Sequence, residues 1–201
     1  MLKQDILFTE IERHLLEDDA PSGYLNQLFR TPAFRQYPYD MLHRLKCTDQ
    51  SPIHHPEGNV WNHTMLVVNE AARRKRISHD PRVFMWAALL HDIGKPSTTK
   101  VRKGKITSYN HDKEGAVLSE EFLRQCTTDT SFIQDVSALV RYHMHILYVI
   151  NKLPFADINK MKQDTDIHET ALLGLCDRLG RLNTNEKEEE EKIQKFLCMC
   201  G

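Results

Sequence analysis

Eight consecutive apolar residues, Val83-Phe84-Met85-Trp86-Ala87-Ala88-Leu89-Leu90, run directly into His91-Asp92-Ile93-Gly94-Lys95-Pro96. Asp80-Pro81 just before them supplies an N-cap and a proline in the first helical turn. The spacing predicts a helix from Val83 to His91. A helix that is apolar on every face is buried on every face, so the rest of the chain must wrap around this one. Gly94 and Pro96 fit a helix end. The end itself is odd: a carboxylate beside an imidazole is poor design for a helix C-terminus and good chemistry for a metal ion. A cationic His91 would suit the negative end of the helix dipole, but Asp92 would not.

The remaining pattern is helical nearly throughout. Ile6-Leu7, Ile11 and Leu15-Leu16 recur at helical spacing up to Pro21-Ser22-Gly23. Leu25, Leu28 and Phe29 predict a short second helix, and Phe34 to Leu45 a third, interrupted near Pro38. Residues 47–60 read as a loop, because Ser51-Pro52, His55-Pro56 and Gly58-Asn59 all resist regular structure. Helices are expected over Val60–Arg76, from Asp112, over Phe132–Leu147, over Asp157–Lys162, over Asp166–Leu182 and over Glu186–Leu197. Residues 98–109 fit a small hairpin or an extended loop. No repeat or low-complexity linker divides the chain. The expectation is one all-α domain over 1–201: a helical extension over 1–50, a core over 51–182 and a C-terminal helix over 183–201.

Bulk properties exclude several classes of function. The net charge of −1 offers no general attraction to nucleic acid or an anionic membrane. No apolar run reaches the roughly 18–20 residues of a membrane helix. Five cysteines without a C-x-x-C pair or a secretory signal point to a reducing cytoplasm, not a disulfide framework. The run Glu186–Glu191 reads as a solvated helix face.

Eleven histidines invite a search for pattern. His63 stands near the start of its predicted helix, and Asp177 interrupts an apolar stretch, where a carboxylate is costly without a partner. That partner is a metal ion or, more plainly, Arg178 or Arg181. His111 and His143 complete the candidate ligands. His54 and His55 fall in a loop that could line a pocket mouth. His14, His43, His79 and His168 are expected at the surface, and Met41, Met65, Met85 and Trp86 in the core.

His63, His91-Asp92 and Asp177, in this order and spacing, resemble the H…HD…D signature of the HD-domain metal-dependent phosphohydrolases. The resemblance runs from about Pro52 to Arg181. It is most specific to the HD module of bacterial CCA-adding tRNA nucleotidyltransferases, over His55–Thr64, Leu89–Pro96, Tyr109–Asp112 and Leu139–Met144. The chain departs from those enzymes in having fewer than 50 residues where a nucleotidyltransferase head would stand, and no G-S paired with D-x-D. A stand-alone hydrolase-like module is therefore expected.

The resemblance implies an HD-domain helical bundle with one or two divalent ions. His63, His91, Asp92 and Asp177 would hold the first. Asp92, His111 and His143 would hold a second. Met144 stands where related cyclic-dinucleotide phosphodiesterases carry a second histidine, and His145 would face away on a regular helix. These ligands suit manganese, iron, cobalt, nickel and zinc alike. The implied reaction is hydrolysis of a nucleotide phosphomonoester or a cyclic phosphodiester by metal-activated hydroxide, with Asp92 central. Lys95 and Arg181 would meet the phosphate. Trp61, Tyr109 and Tyr142 are candidates for stacking on a base, and Arg102-Lys103-Gly104-Lys105 for touching an RNA backbone. Gly94-Lys95 replaces the glutamate that follows the doublet in deoxynucleotide monophosphatases of the superfamily. Two alternatives stay open: an iron oxygenase on the same scaffold, and a nucleotide-sensing module without turnover.

Overall fold

The computed structural model describes residues 6–201; the first five residues of the expected amino-terminal extension lie outside them. The chain forms an all-α bundle built around one central helix. Helices α1 (Ile6–Glu17), α2 (Ser22–Leu28) and α3 (Asp40–His43) precede the long loop, and α4 (Val60–Arg74) follows it. The central helix is α5 (Pro81–Leu90), followed by a single turn, α6 (Lys95–Thr98). After a hairpin come α7 (His111–Cys126), α8 (Thr130–Tyr142), α9 (His145–Ile150), α10 (Ile158–Asp164), α11 (Ile167–Leu179) and α12 (Glu186–Cys200).

Every residue of α5 from Val83 to Leu90 is buried, as its composition requires. The Asp80 carboxylate accepts from the Arg82 and Val83 amides, which gives this helix its cap. Helices α1, α4, α8 and α11 pack around it. The Trp86 ring stacks on Phe8, with centroids 4.5 Å apart, and its indole N–H donates to Glu12 at 3.1 Å. A smaller apolar cluster joins α9, α11 and α12 through Ile146, Val149, Ala171, Ile193 and Phe196.

The expected hairpin is present. Strands β1 (Lys100–Arg102) and β2 (Lys105–Thr107) pair antiparallel, with Val101 opposite Ile106. Their two-residue turn, Lys103-Gly104, has positive φ at both positions, which matches the twist of the strands.

Three expectations need correction. Phe34–Leu45 is not one interrupted helix: two 3₁₀ turns, Ala33–Arg35 and Arg44–Cys47, flank the single turn of α3. Pro96 does not end a helix but opens α6, where its missing N–H is harmless. The helix predicted over Phe132–Leu147 breaks after Tyr142 and resumes at His145. The break seats Ile146 against Gly174 of α11, so tightly that a Cβ at 174 would lie 1.7 Å from Ile146 Cδ1. Among the described residues no disulfide forms, and no helix is long and apolar enough to cross a membrane.

Candidate metal centre

Five helix ends meet at one point. His63 lies in the first turn of α4, and Asp177 faces it from the last turn of α11. His91 and Asp92 follow α5, His111 opens α7, and His143 follows α8. All six side chains are buried. On a regular helix His91 and Asp92 would point about 100° apart. The helix stops at Leu90, and the following turn, in which the Ile93 amide donates to Leu90 and the Lys95 amide to Asp92, brings both to the same place.

The histidines are oriented from behind. Nδ1 of His91 donates to the Ala88 carbonyl at 2.8 Å, Nδ1 of His111 to Ser108 at 2.7 Å, and Nδ1 of His143 to Val140 at 2.6 Å. A carbonyl can only accept, so these three rings carry their proton on Nδ1 and present an Nε2 lone pair to the interior. His63 is held differently, with Nδ1 2.9 Å from Glu57 Oε1. The helix-cap reading of His91 is thus half right: it does bond the last turn of α5, and that bond aims its other nitrogen inward.

Asp92 stands between two groups of ligands. Its Oδ2 is 3.3 Å from His91 Nε2 and 3.9 Å from His63 Nε2. Its Oδ1 is 3.5 Å from His111 Nε2 and 3.9 Å from His143 Nε2. The ligand atoms of His63, His91 and Asp92 all lie within 4.8 Å of one another, and so do those of Asp92, His111 and His143. Asp177 Oδ1 joins the first group at 3.0 Å from His63 Nε2. The salt-bridge reading of Asp177 also holds, for Arg181 at 3.1 Å and not for Arg178, which pairs with Glu189 at 2.9 Å.

The donor set fits a divalent cation. His91 Nε2 is buried and has no hydrogen-bond partner. His111 Nε2 and His143 Nε2 face each other at 3.2 Å. With both protons on Nδ1 that contact sets lone pair against lone pair, and burial, the leading influence on both rings, disfavours the extra proton that would relieve it. Two nitrogens each about 2.1 Å from one ion stand about 3.0–3.4 Å apart. A shared ion therefore accounts for a separation that the rings alone do not.

Charge is arranged to match. Burial opposes the charge on Asp92, but the Lys95 ammonium holds its carboxyl well below the usual range. Burial likewise opposes ionisation of Asp177, which Arg181 and His63 more than offset. Burial would lower the His63 pKa, yet Asp177 and Glu57 raise it. A cation, whether proton or metal, is thus favoured on its Nε2.

Lys95 turns inward, 2.7 Å from Asp92 Oδ2 and 2.6 Å from Gln50 Oε1. It lines a cavity of about 740 Å³ together with Asp92, Asp177 and Arg181. His54 and His55 line the same cavity, as their loop position suggested. Of the three stacking candidates only Tyr109 qualifies, lying 63% exposed on the cavity. Trp61 is buried against Phe29 and Phe34, and Tyr142 is buried with its hydroxyl donated to Asp164 at 2.6 Å. His145 stays apart from the cluster, buried against Tyr142 and Tyr148.

Glu57 and Gln50 escaped sequence reasoning. Glu57 also accepts from His55 Nδ1 at 2.8 Å; burial opposes its charge, but His63 and its other hydrogen bonds bring its pKa down to about 2. The one signal was position: a carboxylate in a Pro-Glu-Gly loop between two histidines.

Residues 60–195 match the family model of the HD domain. The chain is also similar to proteins named Multifunctional CCA protein. That of Methylococcus capsulatus is 25% identical over 189 residues, 92% of this chain and 37% of the relative. That of Actinobacillus pleuropneumoniae serotype 5b is 34% identical over 103 residues, 51% of this chain and 24% of the relative. That of Pseudomonas fluorescens is 31% identical over 141 residues, 68% and 31%. In these three alignments the chain spans between 24% and 37% of the relative's length.

Proposed function

Because this chain belongs to the HD domain family, we propose that it is a metal-dependent phosphohydrolase acting on a nucleotide phosphomonoester or a cyclic phosphodiester. One observation carries the reading: three imidazoles with their protons committed to backbone carbonyls turn Nε2 lone pairs onto Asp92, at the base of a cavity that also holds Lys95 and Arg181.

His63, His91, Asp92 and Asp177 would hold one ion; Asp92, His111 and His143 would hold a second. A bound divalent ion supplies Lewis acidity and brings the pKa of its water toward neutrality. The chain's own residues do the rest. Lys95 neutralises a non-bridging phosphate oxygen once Asp92 is engaged elsewhere, and Gln50 keeps its ammonium at the cavity floor. Arg181 adds a second positive charge from one turn beyond Asp177. Burial of the cluster excludes bulk water and strengthens each of these interactions.

The hairpin supports an RNA end as the second reading of the substrate. Lys100, Arg102, Lys103 and Lys105 are exposed on it, and the chain passes directly from β2 into the cavity wall at Ile106–Tyr109. The odd number of cysteines, with no C-x-x-C pair, supports a reducing, cytoplasmic setting.

The test is turnover by chelator-stripped protein reloaded with manganese, nickel or cobalt, on p-nitrophenyl esters, nucleoside monophosphates and 2′,3′-cyclic nucleotides. Product release should require metal, and Asp92→Ala should lower it on the order of a hundredfold or more. Stoichiometric metal binding with no phosphate-ester cleavage would overturn the proposal. Oxygen uptake by the iron-loaded protein would then favour an oxygenase, and nucleotide binding without turnover a sensor.

A further inference from the structure

The cavity does not end at the ion cluster. It continues onto a wall built by α9 and the turn after it, from Leu147, Tyr148, Leu153 and Phe155. Phe155 is 61% exposed and Leu147 38%. Large apolar side chains gathered on one cavity wall are what a soluble surface avoids unless something covers them. A volume of about 740 Å³ falls within the range of sites that enclose whole organic ligands, well beyond what a bare phosphate needs.

The wall is fixed in place. The Leu153 amide donates to the Tyr148 carbonyl at 2.8 Å, and the Ala156 amide to Leu153 at 3.2 Å, so the turn carrying Phe155 is pinned on both sides. Behind it runs a ladder of rings in edge contact. Phe155 meets Tyr148 at 5.7 Å, Tyr148 meets His145 at 5.5 Å, and His145 meets Tyr142 at 4.7 Å between centroids. His145 Nε2 accepts from the Asp157 amide at 3.4 Å, tying the far end of the turn to α9. A buried histidine that the ion cluster does not use thereby acquires a role.

We infer that this wall seats the base of the substrate, with Phe155 as its specificity-determining residue. The inference rests on the phosphohydrolase reading for the position of the phosphate, beside Asp92, Lys95 and Arg181 of the same cavity. None of Leu147, Tyr148, Leu153 and Phe155 carries a charge, and only the Tyr148 hydroxyl is polar. Such a wall recognises a flat apolar plate by stacking and burial, and it does not read hydrogen-bonding edges. The site therefore prefers nucleoside esters to sugar phosphates while tolerating any base.

Equilibrium binding to the metal-loaded protein tests this directly, with adenosine 5′-monophosphate and ribose 5-phosphate as a pair differing only in the base. The wild-type protein should bind the nucleotide about tenfold more tightly. Phe155→Ala should erase most of that preference and leave ribose 5-phosphate unchanged, whereas Phe155→Trp should keep it. Guanosine, cytidine and uridine monophosphates should bind within a few-fold of one another. Phe155 is mostly exposed, so its removal leaves the core intact; circular dichroism of the variant verifies this. Equal affinity for the two ligands, or an equal loss for both in Phe155→Ala, overturns the inference. Base-dependent binding without any ester cleavage would remove the hydrolase reading and leave the wall standing. Cleavage of both esters with no preference for the base would do the reverse.

Discussion

Glu57 sets a carboxylate oxygen 2.9 Å from His63 Nδ1, an ion-pair contact without the hydrogen-bond alignment that backbone carbonyls give the other three histidines, and it leaves Nε2 for a ligand. A carboxylate in that position also raises the basicity of the ring, and loss of such partners typically costs about 10–100-fold in metal affinity. Glu57→Gln keeps the shape and removes the charge. Calorimetric titration with zinc or manganese should show affinity falling by about that factor with the fold unchanged, and Glu57→Asp should recover part of it. Wild-type affinity in Glu57→Gln would mean that the contact is incidental. The apolar residues before His91-Asp92 and around Asp177 made those three legible in the sequence, because a charged or imidazole group in apolar surroundings announces a cost that something must offset; His63, His111 and His143 were legible through the order and spacing that resemble the HD signature. Glu57 and Gln50 were not legible, since their roles depend on the path of a loop. Trp61 and Tyr142 misled for the opposite reason. An aromatic ring is equally good as core and as platform, and only packing decides which.

At the scale of elements, the cluster exists because helix ends can approach more closely than helix sides. Gly94 is where α7 comes nearest to the turn after α5: a Cβ there would lie 2.3 Å from the His111 carbonyl and 2.5 Å from the Gly115 amide. Neither obstacle is a flexible side chain, so the backbone must move. Gly94→Ala should therefore destabilise the protein by roughly 1–3 kcal/mol or more, the usual range for overpacking. It should also push His111 away from Asp92 and leave His63, His91 and Asp177 together. Metal analysis of the variant should return one fewer ion per chain than the wild type. Retention of the wild-type stoichiometry and melting temperature would show that the close approach is dispensable. The apolar α5 and the hairpin were readable from composition and turn residues. The break between α8 and α9 was not, because His143 and Met144 keep helical-region dihedrals. A turn of that kind contains neither glycine nor proline and scarcely disturbs the apolar period, so it leaves no mark in the sequence.

For the whole molecule, the cluster sets opposing demands on stability that metal and pH should expose. Without an ion, the fold must bury several imidazoles with their lone pairs facing one another and facing carboxylates. Burial, the leading cause in each case, brings the pKa of His55 and His145 down to about 4 and lowers that of His143 as well. In the unfolded chain these groups titrate near the ordinary value of about 6.5. As pH falls through that value the unfolded state takes up protons that the folded state refuses, so stability declines between about pH 6.5 and 4. His63 acts in the opposite sense: its pKa is raised on folding, so its contribution is complete below about pH 6.5 and is lost as pH rises through its folded pKa. With His111, which burial also lowers, four depressed groups outweigh one raised group, and the net slope is toward acid instability. Asp92 and Asp177, held well below the usual range, add stability that is complete above about pH 4 and is lost only as pH falls below that. A bound ion satisfies the same lone pairs and binds only the folded chain. At a hundred times its dissociation constant it adds about 2.7 kcal/mol, which at about 2–4 °C per kcal/mol for a domain of this size raises the melting temperature by about 5–11 °C. Because protons compete for the same nitrogens, that gain should shrink on acidification. Differential scanning calorimetry at pH 7.5 and pH 5, with manganese or with chelator, measures both effects. A chelator that leaves the pH 7.5 transition unmoved would argue against an ion in the cluster, and a chelated protein that melts higher at pH 5 than at pH 7.5 would contradict the buried neutral histidines.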